Sequence, residues 1–278
     1  MSTSSQPSVQ APPARFRLRV RYAKRGRLAY LGHLEVIHTI ERCVRRAALP
    51  YAVSQGFSPH MRIGYTAALP VGTSSACEYY DVFLTELVPA PETLARLRAA
   101  SPADLAPDAA AYIDLRAPAL TAQITRVDYL VELAFRPGCA ASATETGEAL
   151  RAVERRGELP YTRGKKRKAL DLATLLGWHA DDGEGGRVLL RLETRCDNEG
   201  SLRPEILIAA LDQALRGIEP GSEEIVSTGI QELARIARCR VERVAQLIEE
   251  PPAPPRAPLD VPSDPPAGTM LAEALANL

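Results

Sequence analysis

The sequence predicts an α+β protein of two tandem ferredoxin-like (βαββαβ) domains with disordered segments at both ends. Three observations predict this class: a period-2 strand near the N-terminus, amphipathic helices between extended segments, and an element order that recurs in the second half. The 278 residues are enough for two domains with separate cores. The predicted boundaries are 1–14 (disordered), 15–120 and 121–248 (the two domains), and 249–278 (a Pro-rich tail).

The first predicted strand, residues 15–22, alternates arginine with an apolar or aromatic residue. In a strand this alternation sends one set of side chains to the core and the other set to the opposite face. The core set is Phe16, Leu18, Val20 and Tyr22. The opposite set, here called the arginine row, is Arg15, Arg17, Arg19 and Arg21.

The rest of the first domain completes a β-α-β-β-α-β order. Residues 34–48 predict a helix, because Ile37, Ile40 and Val44 recur at helical spacing, and Pro50 ends it. Extended structure is predicted at 51–53 and 61–65, on either side of a loop, followed by strands at 78–84 and 109–115 with a helix at 91–100 between them.

The same order is predicted again in the second domain, although no residue-level repeat relates the halves. Strands are predicted at 125–135, 167–172, 188–193 and 234–241, and helices at 143–156 and 204–215. Pro204 suits the first turn of the second of these helices. Residues 251–268 are Pro-rich and predict a disordered spacer, and 270–278 predict a short helix.

Composition predicts a cytoplasmic protein that is not embedded in a membrane. No apolar run approaches the roughly 18 residues of a membrane span, and the N-terminus has neither the basic start nor the apolar core of a signal peptide. The five cysteines show no Cys-x-x-Cys spacing, which predicts reduced thiols. The chain also lacks the Cys-x-x-x-Cys-x-x-Cys of radical SAM enzymes, and we expect neither a cofactor nor a metal ion.

Charge is distributed unevenly along this neutral chain. Residues 1–66 contain eleven Lys and Arg against two Glu, a net charge of +9 that the remainder balances with −9. Concentrated positive charge favours a polyanion-facing surface, with a solvated strand face as the ordinary alternative. A second basic run occupies residues 163–168. The predicted nucleic-acid-binding residues are Arg15, Arg17, Arg19, Arg21, Lys24, Arg25, Arg42, Arg45, Arg46, Lys165 and Lys166.

Polar motifs concentrate in the first domain, from Lys24-Arg25-Gly26 and Gly32-His33-Leu34-Glu35 onward. The other motif residues are Glu41, Arg42, Ser54, Gly56, Phe57, Pro59, His60, Gly72, Glu78 and Asp81. Together they resemble the bacterial family called radical SAM-linked, or radical SAM-associated, proteins. The resemblance is dense in the first domain and loose in the second, where 168–171 and Arg203-Pro204 carry it. It implies an accessory role around a separate radical SAM protein or RNA, without an assigned activity.

Two histidines could carry catalysis. His33 and His60 could act as general acid and base in a metal-independent RNA endonuclease, with Glu35 as a further candidate. Gly32 and Glu35 depart from the Ser and Asp of the family pattern, which counts against strict catalytic geometry. The ordinary alternative is that His33 starts a helix and His60 fixes a loop. A shared metal ion is disfavoured, since His33 and His38 lie about 140° apart around a helix.

The residues therefore favour a protein that binds tRNA or rRNA by backbone contacts and serves a radical SAM enzyme. The endonuclease is one alternative, and a protein-only adaptor that docks an acidic partner is another. Phe57 is either a platform for a base or a core residue. Glu41, Glu78 and Asp81 are either catalytic or, as we prefer, ion-pair partners of nearby arginines.

Overall fold

The computed structural model describes residues 13–197, 200–227 and 232–259. The predicted disorder at 1–12 and 260–268 and the predicted helix at 270–278 lie outside these ranges. Within them, no helix is long and apolar enough to cross a bilayer.

The first half contains four strands and two principal helices, in the predicted β-α-β-β-α-β order. These are β1 Phe16–Lys24, α1 His33–Arg46, β2 Ile63–Tyr65, β3 Ser74–Leu84, α2 Ala90–Ala100 and β4 Pro107–Ile113. The strands lie in the order β4-β1-β3-β2, and each neighbouring pair is antiparallel. The predicted strand at 51–53 is reduced to single bridges from Tyr51 and Val53.

The second half contains six strands and three helices. These are α3 Leu120–Gln123, β5 Arg126–Phe135, α4 Ala143–Glu154, β6 Glu158–Arg163, β7 Lys166–Asp171, β8 Leu175–Gly183, β9 Arg187–Arg195, α5 Pro204–Leu215 and β10 Ile236–Leu247. Four of the strands lie in the order β10-β5-β9-β8, whereas β6 and β7 form a separate two-stranded sheet. The strand predicted at 167–172 is present as β7, but it pairs with β6 in this hairpin and not with the strands of the main sheet.

Strand β10 joins the halves by pairing in parallel with β3, through Glu242 opposite Ser74 and Arg243 opposite Ser75. The result is one eight-stranded sheet, which confirms the α+β class. Side chains of β3 reach both cores. Tyr80 and Val82 pack with β1 and α1, while Cys77 and Tyr79 pack with the second half.

Local sequence explains how the helices begin. At α4, the Ser142 hydroxyl accepts from the Glu145 backbone N–H, and the Glu145 carboxylate accepts from the Ser142 N–H, a capping box. At α1, the Gly32 N–H donates to Glu35 Oε2 at 2.7 Å. Glu35 therefore caps the helix that carries His33, which is a structural role for this candidate catalytic residue.

Part of the tail predicted to be disordered is ordered. Ile248 pairs with Arg256 in a β-bridge, and the Pro258 carbonyl accepts from Arg19 Nη1 at 3.1 Å. Residues 251–259 therefore contradict the prediction of disorder. They are anchored by contacts with the first half, which composition alone does not reveal.

The five cysteines are free thiols, and burial raises the pKa of Cys77 and of Cys239 to about 12 each. We expect iodoacetamide at pH 8 to alkylate both at least about a hundredfold more slowly than an ordinary thiol, since the thiolate is the reactive form. Mass spectrometry of timed samples measures this, with labelling in guanidinium chloride as the control. Native Cys77 labelling at the rate seen after unfolding would contradict the prediction.

Candidate functional site

Only part of the arginine row is exposed on the protein surface. Arg17 and Arg19 are 5% and 1% exposed, and both bind Asp81 of β3, which is fully buried. Arg17 donates to Asp81 Oδ2 through Nε at 3.0 Å and Nη2 at 2.6 Å. Arg19 donates through Nε to Oδ1 at 2.8 Å and through Nη2 to Oδ2 at 3.0 Å. One carboxylate thus accepts hydrogen bonds from two guanidinium groups. We call Asp81, Arg17 and Arg19 the Asp81 cluster.

The remaining guanidinium N–H groups of the Asp81 cluster bind segments that cross over the sheet. Arg17 donates to the Ala117 carbonyl and, at 2.9 Å, to the Pro118 carbonyl. Arg19 donates to Gln123 Oε1 at 2.8 Å, in addition to the tail carbonyl described above. Both arginines therefore hold chain against the sheet, and the prediction that they face phosphates is wrong because the face they occupy is covered.

Lys24 is also removed from the predicted surface. Its Nζ is buried and donates to the carbonyls of Ala29 and Leu31, both at 2.9 Å. Burial lowers the pKa of this ammonium. Arg21 is partly exposed and pairs with Asp108 at 2.9 Å, so of the row only Arg15 is exposed with no ion pair in the part of the chain the structure describes.

The other predicted cations are all exposed; Arg25 stands apart just after β1, and the rest form two groups. Arg42, Arg45 and Arg46 lie on the outer face of α1, where Arg45 has Glu41 3.5 Å away. The second group is the β6–β7 hairpin, whose tip presents Arg163, Lys165, Lys166, Arg167 and Lys168. We call these five residues the basic tip. None of them forms an ion pair within the described residues.

The base of the β6–β7 hairpin is packed into the core of the second half. Leu159, Tyr161 and Leu170 at its base are buried in the second core, so the basic tip projects from an anchored ribbon. Arg163 lies opposite Lys166, and Thr162 lies opposite Arg167. Since directly opposed residues share a face and successive residues alternate, both faces of the tip carry positive charge.

Three motif positions converge on a small cavity beside α1. Lys24, His33 and Glu78 line it together with Tyr65 and Thr66. Its volume of about 20 Å³ suits about one water molecule. Glu78 accepts from the Thr66 hydroxyl at 2.9 Å and from Arg243 Nη1 at 3.1 Å. The strand register brings these positions together, which spacing along the chain does not predict.

The two candidate catalytic histidines have different surroundings. The His33 ring packs edge-on against the Tyr65 ring, with centroids 6.2 Å apart. His60 is exposed, and its backbone N–H donates to Ser54 Oγ at 3.0 Å, which closes the loop that also carries Pro59. No hydrogen bond joins the two imidazoles within the described chain. The loop contact uses the backbone of His60, so it assigns no role to the imidazole.

The structure also shows the surroundings of the remaining motif residues. Phe57 is fully exposed, which excludes a core role and leaves the aromatic-platform prediction standing. Gly72 has a φ of +87° and donates its N–H to the Ala29 carbonyl at 3.0 Å, so its turn uses the left-handed region that favours glycine. Glu41, Glu78 and Asp81 all form ion pairs with arginines, as the structural alternative expects.

Sequence reasoning missed Arg243 of β10. This residue is 3% exposed and bridges the halves, donating to Glu78, to the Ala67 carbonyl at 3.1 Å and to the Tyr129 hydroxyl at 3.3 Å. Its neighbours Arg238 and Arg240 are exposed, so the sequence of β10 does not mark which arginine is buried. The only available signal was Glu78, a carboxylate within a buried strand that requires a partner.

Comparison with known proteins gives one family match and several distant structural likenesses. The family model described as "Uncharacterized protein conserved in bacteria (DUF2344)" matches residues 17–204. No curated protein matches.

Three solved structures illustrate the structural likeness. A Cbf5-Nop10-Gar1 complex matches with a TM-score of 0.42 at 8% identity, covering 82% of this chain and 48% of that one. An H/ACA RNP bound to a substrate RNA containing 2'-deoxyuridine gives 0.39 at 8%, covering 82% and 47%. An archaeal box H/ACA sRNP Nop10-Cbf5 complex gives 0.36 at 11%, covering 81% and 46%. This chain spans about half the length of those chains, and likeness at this level carries no functional argument.

Proposed function

The chain belongs to the bacterial DUF2344 family, and we propose that it is an RNA-binding accessory protein that grips the RNA backbone with its basic tip. The observation that carries this proposal is the set of five exposed cations on one anchored hairpin, with no carboxylate partner among the described residues. Guanidinium and ammonium groups bind phosphate oxygens, and each neutralised phosphate releases counterions.

The outer face of α1 provides a second region for the same partner. Arg42 and Arg46 are exposed there, and neither has an ion pair among the residues that the structure describes; Arg42 Nη2 lies 3.4 Å from the Thr39 hydroxyl. Contacts of this kind position a nucleic acid without reading its sequence. The proposal therefore concerns a structured RNA such as tRNA or rRNA, recognised by its backbone.

Neutralising the basic tip tests the proposal. We expect Lys165→Gln/Lys166→Gln/Arg167→Gln to weaken binding of a labelled tRNA transcript and to reduce the slope of log K against log salt by about 2 to 3, as three phosphate contacts are lost. Filter binding between 50 and 200 mM salt measures both quantities.

A charge-preserving variant at the same positions is the matched control. Lys165→Arg/Lys166→Arg keeps the charge and is expected to retain both the affinity and the salt slope. If the neutralised variant binds with the wild-type slope, or if wild-type binding is insensitive to salt, the basic tip is not an RNA-binding surface.

We also propose that the fold divides into two domains of the same class. Each half is a ferredoxin-like domain, with the β6–β7 hairpin inserted in the second. The strand orders β4-β1-β3-β2 and β10-β5-β9-β8 support this division, because each places the first and third strands of its half at the centre.

The proposed partner enzyme is a separate radical SAM protein. This part of the proposal rests on the motif resemblance in the first half. Such a partner carries the Cys-x-x-x-Cys-x-x-Cys sequence that this chain lacks. Anaerobic affinity purification from native extract, with mass spectrometry of retained proteins, tests it. Repeated recovery of no protein with that motif would remove this part of the proposal.

A further inference from the structure

A short ribbon, residues 51–63, lies beside β3 on the side away from β1 and ends in an exposed loop. A β-bridge joins its two arms, and two hydrogen bonds close the loop above the bridge. The Ser54 N–H donates to the His60 carbonyl at 2.8 Å, and the His60 N–H donates to Ser54 Oγ at 3.0 Å. The loop residues 55–60 are exposed, so this anchored loop presents the ring of Phe57 to solvent. We call residues 51–63 the edge ribbon.

Arg62 gives the edge ribbon a second binding group. Its Cζ lies over the Phe83 ring, 4.4 Å from the centroid. The Arg62 side chain is exposed, and its guanidinium forms no hydrogen bond or ion pair with any residue that the structure describes. Because the contact with Phe83 holds this planar group in place, little side-chain freedom is lost when its donors bind a ligand.

The strand register places Phe83 in a row of cationic residues. Arg17 lies directly opposite Phe83 on β1, and its Cζ is 5.2 Å from the centroid of the same ring. The N–H of Arg15 donates to the Leu84 carbonyl at 2.8 Å, which continues the pairing, so alternation puts the Arg15 side chain on the face of Arg17. Since Arg17 is buried and paired, the exposed donors of this row are those of Arg15 and Arg62.

The chain around the edge ribbon contains no carboxylate. Residues 42–77 include neither aspartate nor glutamate. Glu41 and Glu78, which flank this stretch, pair with Arg45 and Arg243. Exposed cations beside an exposed aromatic ring suit a ligand that has both phosphates and accessible base faces. Unpaired RNA has both, whereas a duplex keeps its bases within its own stack.

We infer that the edge ribbon binds a short unpaired segment of RNA, with a base stacked on Phe57 and phosphates bound by Arg62 and Arg15. This inference rests on the proposed RNA binding and specifies the class of RNA. The basic tip contacts the backbone, so it requires no unpaired base. The edge ribbon requires one, which directs the protein to loops, bulges or ends.

A tryptophan at the stacking position tests the inference directly. Phe57→Trp keeps an aromatic ring there, and the chain has one other tryptophan, Trp178. A single-stranded RNA of about eight nucleotides is expected to quench the emission of Phe57→Trp saturably. The same RNA paired with its complement is expected to cause no such quenching. The wild-type protein, which carries Trp178 alone, is the reference for both titrations.

Two further variants separate stacking from charge. Phe57→Leu keeps an apolar side chain without an aromatic face and is expected to bind the short single-stranded RNA about tenfold more weakly. Arg62→Gln is expected to weaken it about five- to tenfold, since a charge-assisted phosphate contact is lost. Arg238→Gln, at an exposed arginine of β10, is the matched control and is expected to bind as the wild type. Absence of quenching in Phe57→Trp, or wild-type affinity in Phe57→Leu, would overturn the inference and leave the exposed ring to a protein contact.

Failure of this inference is distinguishable from failure of the basic tip. If neutralising Lys165, Lys166 and Arg167 leaves tRNA binding unchanged while the short RNA still quenches Phe57→Trp, the basic tip fails and the edge ribbon is supported. If neutralising the tip weakens tRNA binding while Phe57→Leu binds the short RNA as the wild type does, the basic tip is supported and the edge ribbon is excluded.

Discussion

Asp81→Asn is expected to destabilise the protein by about 3–5 kcal/mol, because it leaves Arg17 and Arg19 as buried charges without a counter-charge. Asparagine keeps the shape of the side chain but loses the carboxylate that accepts four hydrogen bonds in the Asp81 cluster. Urea unfolding followed by circular dichroism measures the change as a lower midpoint at constant m.

A matched control comes from β1, the strand that carries Arg17 and Arg19. Its Arg21 pairs with Asp108 at 2.9 Å, but both side chains are more than a third exposed. An exposed pair contributes roughly 0–1 kcal/mol, so Asp108→Asn is expected to leave the unfolding midpoint nearly unchanged. Equal destabilisation by the two substitutions would contradict the distinction drawn between a buried and a solvated arginine.

Loss of the Asp81 cluster has a local consequence as well. The arginines also hold the carbonyls of Ala117, Pro118 and Pro258. With Asp81 gone, hydrogen exchange in residues 117–123 and in the tail is expected to rise before exchange in α1, which packs on the other face of β1. Arg17 and Arg19 thus hold the covering segments against the sheet of the first half.

Local periodicity predicted the elements well where packing follows the strand or helix period. Residues 204–215 form a helix with the predicted bounds, and the apolar set of β1 is the core set expected. The alternation of β1 also separated the arginines correctly onto the opposite face. What periodicity does not encode is whether that face meets water or another segment of chain.

The incorrect predictions arise from tertiary contacts that local periodicity does not encode. Arg17 and Arg19 are covered by residues 117–123 and by Pro258, which are distant in sequence. Strand β8 was not predicted because Gly177, Asp181 and Asp182 disfavour a strand, yet it pairs with β9 as the last strand of the sheet. Exposure was predicted correctly for the cations of α1 and the basic tip, because solvated charge needs no tertiary partner; their role in binding stays a prediction.

Arg243→Met is expected to destabilise the protein by about 3–5 kcal/mol and to separate the unfolding of the two halves. The substitution leaves Glu78 buried without its guanidinium partner, and it removes hydrogen bonds from β10 to Ala67 and Tyr129. The β3–β10 contact contains only two register pairs, and the ion pair is the charged part of a set of side-chain contacts across it that also includes Ser74 and Gln246. Urea unfolding monitored by near-UV and far-UV circular dichroism is expected to give non-coincident transitions.

A double-mutant cycle with Glu78→Gln distinguishes the ion pair from simple loss of packing. If the pair is what joins the halves, Glu78→Gln/Arg243→Met costs less than the sum of the single substitutions, with a coupling of about 1–3 kcal/mol. Arg240→Gln, an exposed arginine on the same strand, is the control and is expected to keep the wild-type midpoint. A single coincident transition in Arg243→Met, at the midpoint of Arg240→Gln, would mean that the sheet alone holds the halves together and that the buried arginine has no part in the junction.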